Sequence, residues 1–426
     1  MSESRCRLVL VAGTDPLEEV SGHRTLVAAH ARAAVVAGFA PHVFCVGPPP
    51  RIEHSSLGTV HRIASPIRMR RTLLAAVYEP LLVAAISRHL AGAPGPHVIH
   101  SFGAWASTGV TASRILARRG VRVVPIASAY TTLDHESRAK VGGLTPPHGV
   151  RQALGYRVSD RWVRTVAAPA ERRGYRGSTR LLVNYDSVRR LVETACGPGL
   201  DIRRLPYAAP LAFRPDTREP TPVPPAIATL RPASAPLVIS VSRHDPRKGI
   251  DILIRALSGL AIAGRPVRTC LVGPGPLLDA HRTLVRELGL TPSVAVTGHV
   301  DDVLPYLRQA DVFVLPSLEE GSGSVSLLEA LQAGAAIIAS DIDGIPEDVT
   351  DERDALLVRP GDVDSLKAGL ARLCTDAPLR ARLRTQARRT YAERFSADHL
   401  ASALRTTYSD FGVTPAGPLA PAVAGG

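Results

Sequence analysis

Short apolar runs of strand length alternate with stretches of helical periodicity along this chain, and the series runs twice, interrupted by a proline-rich segment. In the first series the strand-like runs are Cys6 to Val11, Val43 to Val46, His97 to His100, Val121 to Ala127 and Leu181 to Asn184. In the second they centre on Val238, Cys270, Val294, Phe313, Ile337 and Leu357. Apolar strands separated by helices call for parallel sheets covered on both faces. The interruption, Arg214 to Pro236, carries Pro215, Pro220, Pro222, Pro224, Pro225, Pro232 and Pro236, the composition of a semi-rigid linker. The expected fold is α/β, with two Rossmann-like domains facing a cleft: residues 1–213, a linker at 214–236, and residues 237–390. Sheets of this kind take ligands at the carboxyl ends of their strands.

At 426 residues the chain can bury two full cores. No stretch offers the ~20 uninterrupted apolar residues that span a bilayer; the nearest, Thr72 to Ile86, contains Glu79 and Pro80. The N-terminal MSESRCRLVLVAG reads as entry into a strand, not as a signal peptide. Cys6, Cys45, Cys196, Cys270 and Cys374 lack metal-ligand spacing and read as small buried residues, so a reducing, cytoplasmic setting is expected. The formal charge is +13, yet aromatic content is 4% and no basic run is interleaved with aromatics, which argues against a nucleic-acid platform. Arg380, Arg382, Arg384, Arg388 and Arg389 read instead as a solvated helix face. Arg68, Arg70 and Arg71 before the apolar Leu73 to Ile86 stretch leave two readings open: a peripheral membrane contact, or a buried helix broken at Pro80.

Two loops carry chemistry. After the run Pro236 to Ser242, the loop Arg243 to Gly249 (RHDPRKG) leads into a helix whose apolar face is Ile250, Leu253, Ile254, Leu257 and Leu260. Arg243 and Lys248 thus sit where backbone N–H groups and the helix dipole already favour an anion. After Val312 to Leu315, the stretch PSLEEGSGSVSLLEALQAG ends a strand at Pro316 and opens a helix that stops at Gly334. It places Glu320 and Glu329 around Gly321, Gly323 and the N–H groups of a helix start, an arrangement suited to a ligand with both hydroxyls and phosphates. Ser326-x-x-Glu329 also has capping-box spacing, so Glu329 can be read as a helix cap as well. Gly273 to Leu278 (GPGPLL) lacks the third glycine of a dinucleotide fingerprint and reads as a close-approach turn. Asp341 and Asp343 read as turn residues, not as metal ligands.

This ordered set, with LVGPGPLL (Leu271 to Leu278), VTGHVDDVLPYL (Val296 to Leu307) and ADVFVLPS (Ala310 to Ser317), resembles the family-4 retaining glycosyltransferases of GT-B fold, the glycosyl transferases group 1. The resemblance implies that Arg243 and Lys248 hold a donor diphosphate. It also implies that Glu320 faces the donor sugar, that Glu329 accepts from the nucleotide ribose, and that Gly323, Ser324, Val325, Val300 and Gly273 line the donor site. Eight residues separate Glu320 from Glu329 where the family pattern has seven. On the acceptor side it points to Gly22, His23, His100, Tyr130 and His135, although a helix cap at Gly22–His23 and a core role for His100 fit equally. It implies a C-terminal helix, 391–411, crossing back to the first domain, while the Pro/Ala/Gly segment 412–426 is expected to be a disordered tail. No metal or cofactor is expected. The partners implied are a nucleotide-sugar donor, a UDP-sugar first, and a small-molecule or glycan acceptor, with no nucleic acid. A nucleotide-sugar epimerase or a catalytically degenerate binding protein of the same fold are the alternatives.

Overall fold

The computed structural model describes residues 7–17, 22–47, 49–64, 75–142, 158–214, 222–230, 236–320 and 323–415. One unit comprises Met1–Phe213 and Ser396–Gly426, the other Arg214–Phe395.

The first unit is built on β1 (Leu8–Thr14), whose residues Leu8 to Ala12 are at most 2% exposed. It pairs in parallel with β2 (Pro41–Val46) on one side. A hairpin follows, β3 (Arg51–Ser55) and β4 (Gly58–Ile63), and on the other side of β1 lie β5 (His97–Phe102), β6 (Val123–Ala129), β7 (Arg180–Val183) and β8 (Ile202–Arg204). The sheet order is β3-β4-β2-β1-β5-β6-β7-β8, with the β3–β4 pair alone antiparallel. The hairpin and β8 were not expected from the sequence. RIEHS carries charge on a mostly exposed edge, held by an Arg51–Glu53 ion pair at 2.7 Å. Such an edge resists pairing with another chain and gives little apolar signal.

The helix Ala75–Leu90 decides between the two readings of the Arg68 to Ile86 region. Leu82, Ile86 and Leu90 are fully buried in the core of this unit, and the helix runs through Pro80 without ending there. Of the apolar residues proposed for membrane contact, Tyr78, Leu82, Val83, Ala85 and Ile86 are core residues, Val77, Leu81 and Ala84 are exposed, and Leu73 and Leu74 lie outside the described residues. Arg68, Arg70 and Arg71 lie outside the described residues. Among the described residues, no helix is long and apolar enough to cross a membrane.

The C-terminal return is shorter than expected. Tyr391 to Arg394 end the helix Ala377–Arg394 of the second unit, and the chain breaks at Phe395. Ser396 then caps the helix Ala397–Ser409 by accepting from His399 N. In that last helix Leu400, Leu404 and Tyr408 form a buried stripe at i, i+4 and i+8, packed on the helix Gly22–Val36. Tyr408 meets the Phe39 ring edge-on at 5.3 Å, and its hydroxyl lies 2.8 Å from His100 Nδ1. The expected tail at 412–426 also needs correction at its start: Val413 N donates to Tyr408 O and its side chain is 1% exposed, so packing continues past Gly412. Residues 416–426 lie outside the described residues.

In the second unit β9 (Leu237–Val241), β12 (Arg268–Val272), β13 (Val294–Gly298), β14 (Val312–Leu315), β15 (Ala336–Ser340) and β16 (Leu356–Val358) form a parallel sheet, with a small ribbon of β10 (Ala261–Ile262) and β11 (Arg265–Pro266) beside it. Its order, β13-β12-β9-β14-β15-β16, is the 3-2-1-4-5-6 order of dinucleotide-binding sheets. The direction of winding reverses between β9 and β14, so their carboxyl ends open the crevice where such sheets hold ligands. Part of the expected linker belongs to this unit: Pro225–Ala228 forms a helical turn against β13, burying Ile227, and Leu230 is buried as well.

The buried Tyr408 should anchor the last helix to the first unit. Tyr408→Ala is expected to cost about 3–5 kcal/mol, the range for deleting a large buried ring. Tyr408→Phe, which leaves His100 one partner short, is expected to cost about 1–3 kcal/mol. Urea unfolding measures both, and wild-type stability in the alanine variant would show that the helix is not anchored there.

Candidate active site

The loops after β9 and β14 touch through backbone. Gly249, at φ +57°, ends the first loop, and a Cβ at that position would lie 2.1 Å from Pro316 O. Only glycine permits both the left-handed conformation and the approach. Across this contact Arg247 O accepts from Leu318 N at 2.7 Å and from Glu319 N at 3.2 Å. The loop after β12 joins on the other side: Gly273, at φ +138°, would place a Cβ 2.0 Å from Ser242 O. His244 N donates to Pro274 O and Leu277 N donates to His244 O, both at 2.9 Å. Beneath them the buried rings of His244 and His281 meet Nδ1 to Nδ1 at 2.8 Å. The sequence's GPGPLL is the close-approach turn it was read to be.

These contacts fix the two expected cations differently. Lys248 Nζ lies 2.7 Å from Glu320 Oε1, and that same oxygen accepts from Ser317 Oγ at 2.5 Å. Both charged side chains are largely covered, at 18% and 3% exposure. Glu320 is further held by its own backbone N, which donates to Asp343 Oδ2 at 2.7 Å. Arg243 is 67% exposed, with Asp245 as a distant partner at 3.8 Å. Asp245 also accepts from Arg247 N at 3.1 Å, capping the short turn Pro246–Lys248. The loop therefore holds one ammonium aimed by a carboxylate, the exposed guanidinium of Arg243, and a second guanidinium, Arg247, whose NH2 lies 3.5 Å from Asp245 Oδ2.

Glu320 in this arrangement positions Lys248, and it does so through Oε1. Ser317 and Asp343 were missed as site residues. Ser317 had no pattern of its own, and Asp343 was read as a turn residue. It is one, at φ +49°, but its carboxylate caps the neighbouring loop.

The capping-box reading of Glu329 is corrected. Ser324 is the N-cap of the helix Val325–Ala333, with extended φ/ψ and its hydroxyl accepting from Leu327 N. Ser326 lies inside the helix, so Glu329 is two positions past the residue that could close a box. Gly323, at φ +82°, turns the chain into that start, and Val325 opens the helix. Gly321 and Ser322 lie outside the described residues. Glu329 is 8% exposed, and burial pushes its carboxyl up to about 7; Arg214 pulls it back and Asp302 adds to the rise. Those two residues form their own ion pair at 2.8 Å. Among the described residues, no hydrogen bond holds its carboxyl, which makes it a candidate to face a ligand. Val300 is half-buried in the loop after β13.

The acceptor-side expectations fare less well. Gly22 and His23 open the helix Gly22–Val36, but the His23 side chain lies outside the described residues. His100 is fully buried with both ring nitrogens used, by Tyr408 and by Ser128 Oγ at 2.7 Å, and burial holds its pKa well below the ordinary histidine range. It is a core histidine. Tyr130 is buried too, its hydroxyl within 3.2 Å of His30 Nδ1. His135 is half-buried near the start of the helix Leu133–Gly142, and its Nε2 is covered without a hydrogen-bond partner. Of the five, His135 alone shows described, uncommitted chemistry.

Residues 228–390 match the family model of glycosyl transferases group 1. That stretch of the chain is a glycosyl transferases group 1 domain. Among similar proteins are the GDP-mannose-dependent alpha-(1-6)-phosphatidylinositol monomannoside mannosyltransferase of Mycobacterium tuberculosis, 33% identical over 43% of this chain and 49% of that one. Another is the D-inositol 3-phosphate glycosyltransferase of Saccharomonospora viridis, 30% identical over 69% of this chain and 66% of that one. The alignments with the first relatives span about half of those proteins. In fold the chain is similar to sucrose-phosphate synthase of Thermosynechococcus elongatus, with a TM-score of 0.73 at 22% identity over 95% of this chain and 99% of that one. HepE of Anabaena, solved in complex with UDP, gives a TM-score of 0.65 at 17% identity over 95% and 100%. These likenesses show the GT-B type of fold.

The loop contact at Gly249 sets the site's geometry. Gly249→Ala is expected to destabilise the protein by about 2 kcal/mol or more, since the left-handed conformation alone costs a side chain roughly 1–2 kcal/mol. Urea unfolding measures it; an unchanged midpoint would mean that the two loops are not in contact.

Proposed function

We propose that this glycosyltransferase transfers a sugar, with retention at its anomeric carbon, from a nucleotide diphosphate donor to an acceptor hydroxyl of a small molecule or glycan. What supports this is the pairing of Lys248 with Glu320 and Ser317 beside the exposed Arg243, at the switch point of a 3-2-1-4-5-6 sheet. As the glycosidic bond breaks, negative charge gathers on the departing diphosphate. Arg243 and Lys248 stabilise that charge, and because Lys248 is already aimed by a buried carboxylate, little reorganisation is needed during reaction. The helix start at Ser324 and Val325 offers further N–H donors. Among the described residues of the site no dedicated nucleophile stands out, so the proposed route is attack on the donor face from which the diphosphate leaves, with the phosphate taking the acceptor proton.

A UDP-sugar is the first donor to test, in line with the UDP complex of HepE; the mycobacterial relative's name makes GDP-mannose the second. Slow hydrolysis of UDP-, GDP- and ADP-sugars, followed by nucleotide release, distinguishes them. Arg243→Ala and Lys248→Ala are each expected to lower turnover on the order of a hundredfold, as loss of one charge-stabilising donor does elsewhere. Both are expected to weaken nucleotide binding, and wild-type activity should persist in excess EDTA. Normal turnover in both variants would remove the diphosphate assignment.

Glu329 is proposed to accept from the two ribose hydroxyls through its two oxygens. Because its folded pKa is raised from 4.5 to about 7, ionising it costs stability as pH rises through that interval, and the cost stays constant above it. Glu329→Gln is therefore expected to stabilise the protein at pH 8, by an amount that vanishes as pH falls toward 4.5. It should also lower kcat/KM for the donor by an equivalent of about 1–3 kcal/mol. Thermal melts across pH together with donor kinetics test both; a variant with unchanged kinetics would leave Glu329 no ribose role.

A further inference from the structure

The first unit carries a group of side chains that the glycosyl-transfer reading does not use. Among the described residues, the ligand atoms of His42, His61 and His89 all lie within 4.8 Å of one another. His42 is on β2, His61 on the neighbouring β4, and His89 at the end of the helix Ala75–Leu90 that covers them. His42 Nδ1 and His61 Nε2 stand 3.0 Å apart, and the His42 and His89 ring centroids are separated by 4.3 Å. A hydrogen bond between two neutral rings accounts for the first pair. It does not account for three imidazoles converging from three separate elements, with no carboxylate among them.

We propose that His42, His61 and His89 form a binding site for a divalent transition-metal ion, zinc by the softness and number of the donors. Three imidazole nitrogens are a known zinc ligand set that leaves a fourth position for water or an anion. Tetrahedral coordination at Zn–N of 2.0–2.1 Å puts ligand nitrogens about 3.3 Å apart, so ring movements of under about an ångström close the set. The His61 ring is held by stacking on Phe44, at 4.5 Å and 4° between planes, which fixes one ligand before the ion arrives. His61 and His89 also line a cavity of about 450 Å³ with Phe44, Arg51, Ile52 and Arg88, which gives an ion and a fourth ligand a way in.

Protons offer little competition at neutral pH. Burial, with neighbouring histidines and Arg7 adding to it, lowers His42 to about 4 and His89 to about 3, and His61 is lowered as well. The rings are neutral and their lone pairs are available. Arg7 opposes the ion. Its NH1 lies 3.4 Å from His89 Nε2 while donating to the His89 carbonyl at 2.7 Å. The stronger bond to the carbonyl can hold Arg7 in place while the ring nitrogen changes partner.

The test uses the full chain without a histidine tag, stripped with EDTA and desalted, with Zn²⁺ and Co²⁺ as probes. Zinc titrated against a chromogenic chelator is expected to show one equivalent bound, and Co²⁺ to give the visible absorption of a four-coordinate site. His61→Gln and His89→Gln are each expected to weaken zinc by about tenfold or more, since loss of a mere supporting hydrogen bond to a ligand already costs that much. Arg7→Gln is expected to tighten it, and His54→Gln, outside the group, to leave it unchanged. Zinc should raise the melting temperature of the wild type and not of a variant carrying both His61→Gln and His89→Gln. No stoichiometric binding by the wild type, or equal binding by a folded triple glutamine variant, would overturn the site. The donor reading is judged separately, by activity in EDTA and by Arg243 and Lys248.

Discussion

The absence of a side chain at Gly249 is the constraint on which the proposed donor site depends. It lets the loop after β9 come within bonding distance of the loop after β14, so that one carbonyl, that of Arg247, accepts from two consecutive N–H groups of the other loop. Lys248 and Glu320 come from strands that are neighbours in the sheet but 72 residues apart in the chain by their numbers. The stitched loops are what bring their charges within 2.7 Å. An ion pair at a surface contributes little by itself. Here the pair is mostly covered and the loops are already joined, so its effect is to aim an ammonium instead of to hold the fold together.

Glu329 shows the complementary situation. Nothing in the helix start requires its charge, because Ser324 performs the cap, and burial works against ionisation. Retaining a carboxylate in such a place lowers stability at neutral pH, a cost that a ligand with hydroxyls to donate can offset on binding. On the proposed ribose role, a carboxyl raised to about 7 links donor binding to proton release.

The second unit was the more legible half. Its six strands were read from apolar runs, and the Arg243–Gly249 loop from two cations between a strand and a helix, because buried parallel strands and loop glycines leave strong local signals. The hairpin Arg51 to Ile63 was missed because an exposed edge is written in polar residues. Ser326 was read as a possible cap where Ser324 is the cap, since two serines two positions apart look alike until φ and ψ are known. The break at Phe395 and the packing of Val413 depend on what the chain meets, not on its own pattern. His100 and Tyr130 looked like site residues because a polar group at a strand end can point to a ligand or into a core, and tertiary partners decide which. The convergence of His42, His61 and His89 had no sequence signal at all; 19 and 28 residues separate them, and only the sheet order makes them neighbours.

The last helix gives this protein a particular order of assembly. Because Ser396–Gly426 belongs with Met1–Phe213, the whole second unit is an insertion between two parts of the first. As the chain is synthesised from its N-terminus, the eight-stranded sheet is complete in sequence well before its covering helix exists. His100 waits 308 residues for the Tyr408 hydroxyl that satisfies it. During that interval the second unit, whose six-stranded sheet is contiguous in sequence, can fold alone, while the first exposes an apolar groove along the helix Gly22–Val36. The half of the molecule made first is thus finished last, and it is the half most in need of protection from aggregation while it is being made.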